Sequence, residues 1–395
     1  MTERTEAHAR RRFLASTGAG LMILKPETVF GSQANSALEL GLIGCGSRGN
    51  MIGGMFQEHT GARLVALADA FADRLDFTRD NLKATGARTY KGYRGYEDLL
   101  ASKLDAVAIE SPPYARPEQA TAAVAAGKHA YMAKPVAVDV WGAKVFAAAG
   151  EKARGKLSFF TDFQFRGRET YRECVARLRR GDIGTPVLGH VYYHTGPLRP
   201  RTVASDTPAQ SRLRNWVFDK ALSGDIIVEQ NIHALDAGAW MLDAAPLRAT
   251  GTGGRKVRMD GDCWDHFVVT FWYPNDVKVD FSSTQCIQGY NDICSRIYGS
   301  EGTAEMHYYA SAAITGKAPW KGEEKLDTGR QGPIENIKAF VASVRSGQWL
   351  NNTADTVRSN LTAILGRTAA YRGGEATWDE MMRSGERLEL RLPSL

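Results

Sequence analysis

Leu38-Glu-Leu-Gly-Leu-Ile43 runs directly into Gly44-Cys-Gly46-Ser47-Arg48-Gly49, and the next apolar run, Leu64-Val-Ala-Leu-Ala68, ends on Asp69. The order is strand, glycine-spaced turn, helix start, strand, carboxylate. Each glycine has its own reason. Gly44 permits a tight turn out of the strand, Gly46 lets backbone amides approach a pyrophosphate, and Gly49 lets the helix pack close on the sheet. The helix N-terminus then faces the phosphates with unpaired N–H groups and the positive end of its dipole. Asp69 stands 20 residues beyond Gly49, where a carboxylate accepts both hydroxyls of an adenine ribose. A carboxylate there repels a 2'-phosphate, so the pattern predicts NAD over NADP; Arg48 and Arg74 are the cations that would offset it.

The other end of the grammar is the leader. Arg10-Arg11-Arg12-Phe13-Leu14 opens a moderately apolar stretch to Leu24, too short to span a bilayer, with small residues near Ala34 and Ala37. Paired arginines followed by x-Phe-Leu have the twin-arginine form, which predicts export to the periplasm of an already folded protein. A disordered basic tail is the alternative, and cleavage is left open.

Composition narrows the class. The chain has 395 residues, 43% hydrophobic and 24% charged, which fits a two-domain globular protein after the leader. The net charge of +6 is scattered, with no basic run interleaved with aromatics, which argues against a nucleic-acid ligand. Five cysteines (Cys45, Cys174, Cys263, Cys286, Cys294) show neither C-x-x-C nor metal-ligand spacing, so no metal is expected and an odd count leaves at least one free thiol.

From residue 38 to 160, short β-rich runs alternate with helical stretches, the signature of a doubly wound α/β domain with a parallel sheet. Strands are expected at 38–43, 62–68, 88–90, 105–110, 129–132 and 157–161, with helices such as Glu118–Ala126 and Val140–Ala153. From 161 to 395 the pattern becomes α+β: a helix at 168–180, a strand at 186–194, and a loop rich in Pro, Arg and Ser over 195–224. A long helix at 225–242 follows, then alternating runs at 246–252, 264–272, 277–285, 292–298 and 303–309 that read as a largely antiparallel sheet. Helices at 333–346 and 354–372 close the chain.

Two segments carry candidate chemistry. Ala130-Tyr-Met-Ala-Lys134-Pro135 puts a lysine at the carboxyl end of the fifth strand, where open α/β sheets bind ligands. In the predicted helix 225–242, Glu229, His233 and Asp236 fall at i, i+4 and i+7 on one polar stripe of an otherwise apolar surface. Two carboxylates and an imidazole are costly to bury unless paired or lining a wet cavity, and the pattern suits a general acid/base. Ser111 and Pro112 follow the fourth strand at the cofactor side. Arg166, Tyr193, Trp216 and Asp236 are the candidate substrate contacts, the aromatics offering a sugar a stacking face.

The leader, the Gly44–Gly49 loop, Ala133-Lys134-Pro135, the Glu229-x-x-x-His233-x-x-Asp236 helix and the antiparallel second half together resemble the Gfo/Idh/MocA oxidoreductases, over essentially all of the chain after residue 37. The resemblance implies that Lys134 contacts nicotinamide ribose and a substrate oxygen, and that His233 accepts the proton of a substrate hydroxyl. It implies a carbohydrate or polyol substrate and a homo-oligomer. This chain departs from the family pattern at three places: Ala133 for glutamate, Glu229 for aspartate, and Arg116 where histidine is frequent. The expected activity is NAD-dependent oxidation of a secondary hydroxyl, with the cofactor recycled in place. A glycosidase that oxidises, eliminates, hydrates and re-reduces, and a non-catalytic sugar-binding protein, are the alternatives.

Overall fold

Six strands occupy the places where the β-rich runs put them: β1 (Glu39–Ile43), β2 (Arg63–Asp69), β3 (Arg88–Lys91), β4 (Ala106–Ile109), β5 (His129–Ala133) and β6 (Phe159–Asp162). This is a computed structural model, and it describes residues 37–323 and 327–390; the expected export leader lies outside the described residues. All six strands pair in parallel, in the order β3-β2-β1-β4-β5-β6. Strand order reverses between β1 and β4, which opens a crevice at their carboxyl ends. The intervening helices are α1 (Ser47–Thr60), α2 (Ala72–Asn81), α3 (Gly95–Ala101), α4 (Arg116–Ala125) and α5 (Val140–Ala153). Their apolar faces cover both sides of the sheet: Leu40, Leu42, Phe56 and Tyr131 form one core, Ile43, Val107, Met132 and Phe146 the other.

The second half continues with α6 (Glu169–Arg179), β7 (Pro186–His194), α7 (Pro208–Arg214), α8 (Lys220–Ser223), α9 (Ile226–Glu229) and α10 (Ile232–Leu242). Strands β8 (Arg248–Gly254), β9 (His266–Trp272), β10 (Lys278–Thr284), β11 (Asp292–Gly299), β12 (Gly302–His307), β13 (Ala312–Gly316) and β14 (Trp320–Lys321) follow, and then α11 (Thr328–Ser346), α12 (Thr353–Arg372), β15 (Glu375–Thr377) and α13 (Trp378–Ser384). The nine strands form one sheet in the order β14-β13-β12-β11-β7-β10-β9-β8-β15, antiparallel except where β10 lies parallel to β7. Alternation along β9 and β10 buries Phe267, Val269, Phe271, Val279 and Phe281 on one face. Helices α10 and α12 lie on that face, and Ser295 of β11 donates to the Ala234 carbonyl of α10 at 2.7 Å.

Three features depart from the sequence expectation. The 195–224 segment is not an open loop: it carries α7, a 3-10 turn at Trp216–Phe218, and α8. The single helix expected at 225–242 is two, broken between Glu229 and Ile232. Helix α11 leaves the second half and returns to the first sheet, where Ile337, Phe340 and Val341 pack with Phe56 and Tyr131. That return joins the described residues into one compact unit.

Candidate active site

Gly44 leaves β1 at φ +93, and a side chain there would meet the Ser111 backbone nitrogen at 2.6 Å. A side chain at Gly49 would meet the Gly44 carbonyl at 1.9 Å. These two positions admit only glycine. Gly46, between them, faces open space within 4 Å, as a loop that receives a pyrophosphate requires. It caps α1, whose first turn carries no acidic side chain to oppose an anion. Ser47, the first residue of the helix, accepts a hydrogen bond from Arg201 at 2.9 Å.

At the end of β2, Asp69 is buried and its carboxylate is oriented by the chain itself. Oδ2 accepts the Cys45 amide at 2.7 Å and Oδ1 the Phe71 amide at 2.9 Å, which leaves each oxygen a lone pair for a ribose hydroxyl. Burial pushes the Asp69 carboxyl upward, and those amides and Arg74 oppose the shift. Asp69, Phe71, Arg74, Ser111, Pro112 and Tyr114 line a pocket of adenosine character beside the Gly44 turn. The residues present therefore fit NAD: the glycine loop would hold its pyrophosphate and Asp69 its adenine ribose. Arg48 does not offset Asp69. It pairs instead with Glu110 (3.2 Å) and Asp162 at the ends of β4 and β6, close enough to Lys134 and His233 to act on both electrostatically.

Lys134 follows β5. The segment after it is clamped by Asn360 of α12, which accepts the Val136 and Ala137 amides at 2.9 and 3.2 Å. Arg116 donates to the Pro135 carbonyl from the other side. The Lys134 ammonium donates to the Glu229 backbone carbonyl at 2.6 Å and lies 3.9 Å from the Glu229 carboxylate. Burial pushes Lys134 down to about 8; Arg48 and Arg116 add to that and Glu229 opposes it. His233 is buried, and burial, then Lys134 and Arg48, push its imidazole well below the usual range, so it is neutral near pH 7. Its Nδ1 and the side-chain amide of Asn231 are buried without a hydrogen-bond partner among the described residues, polar atoms of the kind a ligand satisfies. The ring packs against Tyr308 at 5.6 Å.

The helical stripe itself is corrected. Because the chain breaks after Glu229, the His233 amide bonds the Gln230 carbonyl at 3.4 Å and leaves the Glu229 carbonyl to Lys134. Asp236 is fully buried and held by Arg166 through Nε (3.0 Å) and Nη2 (2.8 Å), with Ser359 donating at 2.6 Å. Arg166 is further tied to Asp355 at 3.0 Å. Both are substrate-contact candidates from the sequence; the structure pairs them with each other. Trp216 is also displaced, packing with Phe71, Leu213 and Leu222 at the adenosine end. Tyr193 is buried on the inner face of β7, near enough to Tyr308 and Glu229 for them to reinforce the upward push of burial on its phenol.

Glu110 and Asp162 were missed. Each closes a run of buried β residues with a carboxylate at the crevice end, a signal the sequence does contain. Glu110 is pushed up to about 7 by burial, with Arg48 and Arg116 pulling it back. Tyr308, whose hydroxyl donates to Gln164, directly follows β12 in the core that α10 packs on, and its sequence context gives no such signal.

Residues 38–160 match the NAD-binding Rossmann model of the Gfo/Idh/MocA oxidoreductase family, and residues 171–305 match a Gfo/Idh/MocA C-terminal domain. The chain belongs to the Gfo/Idh/MocA family. The family is one of oxidoreductases with an NAD-binding Rossmann domain. Among curated relatives, inositol 2-dehydrogenase 3 of Saccharopolyspora erythraea is 28% identical over 356 residues, covering 88% of this chain and 94% of the relative. Myo-inositol 2-dehydrogenase of Thermotoga maritima is 24% identical over 322 residues, covering 79% and 89%. Among solved structures, an oxidoreductase domain protein from Kribbella flavida superposes with a TM-score of 0.73 at 17% identity, covering 87% of this chain and 99% of that one. Scyllo-inositol dehydrogenase from Lactobacillus casei, solved with NAD(H) and scyllo-inositol, gives 0.69 at 17% identity over 87% and 100%. The fold is common to this chain and the two solved structures.

Proposed function

We propose that this protein oxidises a secondary hydroxyl of a polyol, sugar or glycoside, with His233 as the proton acceptor and Lys134 as the group that holds the substrate oxygen. The observation that carries the reading is the pairing of a neutral buried imidazole with a buried ammonium at the crevice end of β5. A base must be unprotonated to accept the hydroxyl proton, and His233 is held neutral by the same burial that lowers Lys134. Lys134 stays charged below about pH 8 and so stabilises the negative charge that develops on the oxygen. NAD, when bound, supplies the hydride acceptor. Glu229 keeps the ammonium aimed by its carbonyl and partly balances its charge. Several curated relatives are inositol dehydrogenases, which supports a cyclic polyol or a sugar ring over an open-chain alcohol.

The reading extends to location and assembly. The twin-arginine form of residues 10–14 supports export, and outside the membrane no pool of free nucleotide can be assumed; the cofactor then has to stay bound and be regenerated within each cycle. Val268 is exposed on the second sheet, on the face opposite the buried Phe267 and Phe281, and it supports self-association through that face.

The test is purification followed by nucleotide analysis and incubation with polyols, sugars and glycosides, reading NADH by absorbance and products by mass spectrometry. Bound nucleotide and an oxidised ring product are expected. Glycoside cleavage with no net oxidation would replace the dehydrogenase with the redox-neutral glycosidase. A protein that is stripped of nucleotide on purification and needs millimolar NAD would refute retention. A reporter fused behind residues 1–36 that stays in the cytoplasm would refute export, and a monomer by light scattering would refute self-association.

A further inference from the structure

The segment between β7 and α9 has no part in the proton chemistry, yet it meets the cofactor crevice at three places. Arg201 donates to Ser47 Oγ at 2.9 Å, at the first residue of α1, where the amides of the glycine loop converge. Leu213 and Leu222 line the same adenosine pocket as Asp69, and the Leu222 carbonyl accepts the Tyr114 amide at 3.3 Å. Arg214 lies 4.0 Å over the Phe71 ring and is anchored by Asp206 (2.6 Å) and Asp73 (2.9 Å), the latter on α2 of the first half. The C-terminal residues reach the same spot. The Leu388 amide donates to Asp139 at 2.7 Å, the Trp141 amide donates to the Glu386 carbonyl at 3.0 Å, and Leu390 packs onto the cluster of Phe71, Leu213 and Leu222.

We propose that residues 199–222, backed by the strap 386–390, form a clasp over the pyrophosphate and adenosine of NAD and set the rate at which the nucleotide leaves. It rests on the reading that this site holds NAD, and it names the agent of retention. The chemistry is specific to the ligand. Arg201 supplies a cation beside the phosphates, where the Gly44–Gly49 loop offers amides but its own arginine, Arg48, is engaged by Glu110 and Asp162. Leu213 and Leu222 supply the apolar wall for a flat base. The clasp has side-chain anchors on the first half, so nucleotide departure needs the Arg201–Ser47 and Arg214–Asp73 contacts to open. Differences in affinity of this kind appear mainly in the dissociation rate.

The experiment loads wild-type protein and the variants Arg201→Ala, Leu213→Ala and Leu390→Ser with NAD and follows release into excess competing ADP-ribose by protein fluorescence. Arg201 is exposed, so Arg201→Ala keeps the fold intact and decides the matter even where Leu213→Ala destabilises it. Release from Arg201→Ala about tenfold or more faster than wild type is expected, equivalent to roughly 1.4 kcal/mol, with an unchanged melting temperature for the nucleotide-free protein. Leu390→Ser should move in the same direction. Release from Arg201→Ala indistinguishable from wild type overturns the clasp. A wild-type protein that purifies without nucleotide but binds added NAD, with the variants still releasing faster, would end the retention reading and leave the clasp standing.

Discussion

Lys134 Nζ donates to the backbone carbonyl of Glu229 at 2.6 Å, and this bond links the end of β5 to the break between α9 and α10. The carbonyl is available because the i→i−4 hydrogen-bond ladder is interrupted between α9 and α10, where the His233 amide bonds the Gln230 carbonyl instead. A continuous helix would have used that acceptor internally and left the buried ammonium with only a carboxylate 3.9 Å away. The break is therefore what brings lysine, carbonyl and imidazole to one place.

His233→Ala and Lys134→Ala should each lower kcat by about 10²–10⁴-fold, the usual contribution of a positioned acid or base. NAD affinity should change little, because the adenosine and phosphate contacts lie elsewhere. Steady-state kinetics with a nucleotide titration checks both halves, and near-normal turnover in either variant would refute the roles.

Activity should fall as pH rises through about 8. Lys134 is the cation whose loss matters there, since burial holds it below the ordinary lysine range while Arg48 and Arg116 press it lower still. On the acid side, His233 is depressed rather than raised, so activity should persist below the pH at which an ordinary imidazole takes up its proton. A kcat profile from pH 5 to 10 reads both limbs. Lys134→Arg, if it turns over at all, should lose the alkaline limb.

Asp69→Ala should narrow the preference between NAD and NADP, because the carboxylate both binds the ribose hydroxyls and repels a 2'-phosphate. Dissociation constants for both nucleotides, measured on wild type and variant, give the answer. Tighter binding of NADP than NAD by the wild type would contradict the assignment of this residue.

Arg166→Ala should destabilise the fold by about 3–5 kcal/mol, the cost of leaving a buried carboxylate without its partner. Among the described residues, Asp236 then keeps Ser359 as its remaining side-chain partner. Chemical denaturation measures the loss. A variant of normal stability with a raised KM would instead restore Arg166 to the substrate site.

Much of the first half was legible because its signals are local. A parallel strand buried on both faces is a continuous apolar run, and the glycine turn is fixed by contacts within a few residues of itself. Asp69 was legible for the same reason: a carboxylate ending β2 has one place to point, and the Cys45 and Phe71 amides that orient it are neighbours of the motif. Lys134 and His233 are legible as residues, but their proximity is not, since one follows a strand of the first sheet, the other sits on α10 of the second half, and nothing in either segment encodes the other.

What the sequence determined by itself is the order of elements, the doubly wound first sheet, the dinucleotide loop and the identity of the two groups that meet in the crevice. Those follow from periodicity and from steric demands that act along the chain. What only the tertiary structure decided is which polar side chains remain available for chemistry. Glu229, His233 and Asp236 looked equivalent on a helical projection. Folding gives the Asp236 carboxylate to Arg166 and Ser359 and the Glu229 carbonyl to Lys134, while His233 is left buried, neutral and, among the described residues, unpaired at Nδ1. The physical reason is that a buried polar group takes whatever partner long-range packing brings within about 3 Å, and that partner is set by three dimensions rather than by spacing along one.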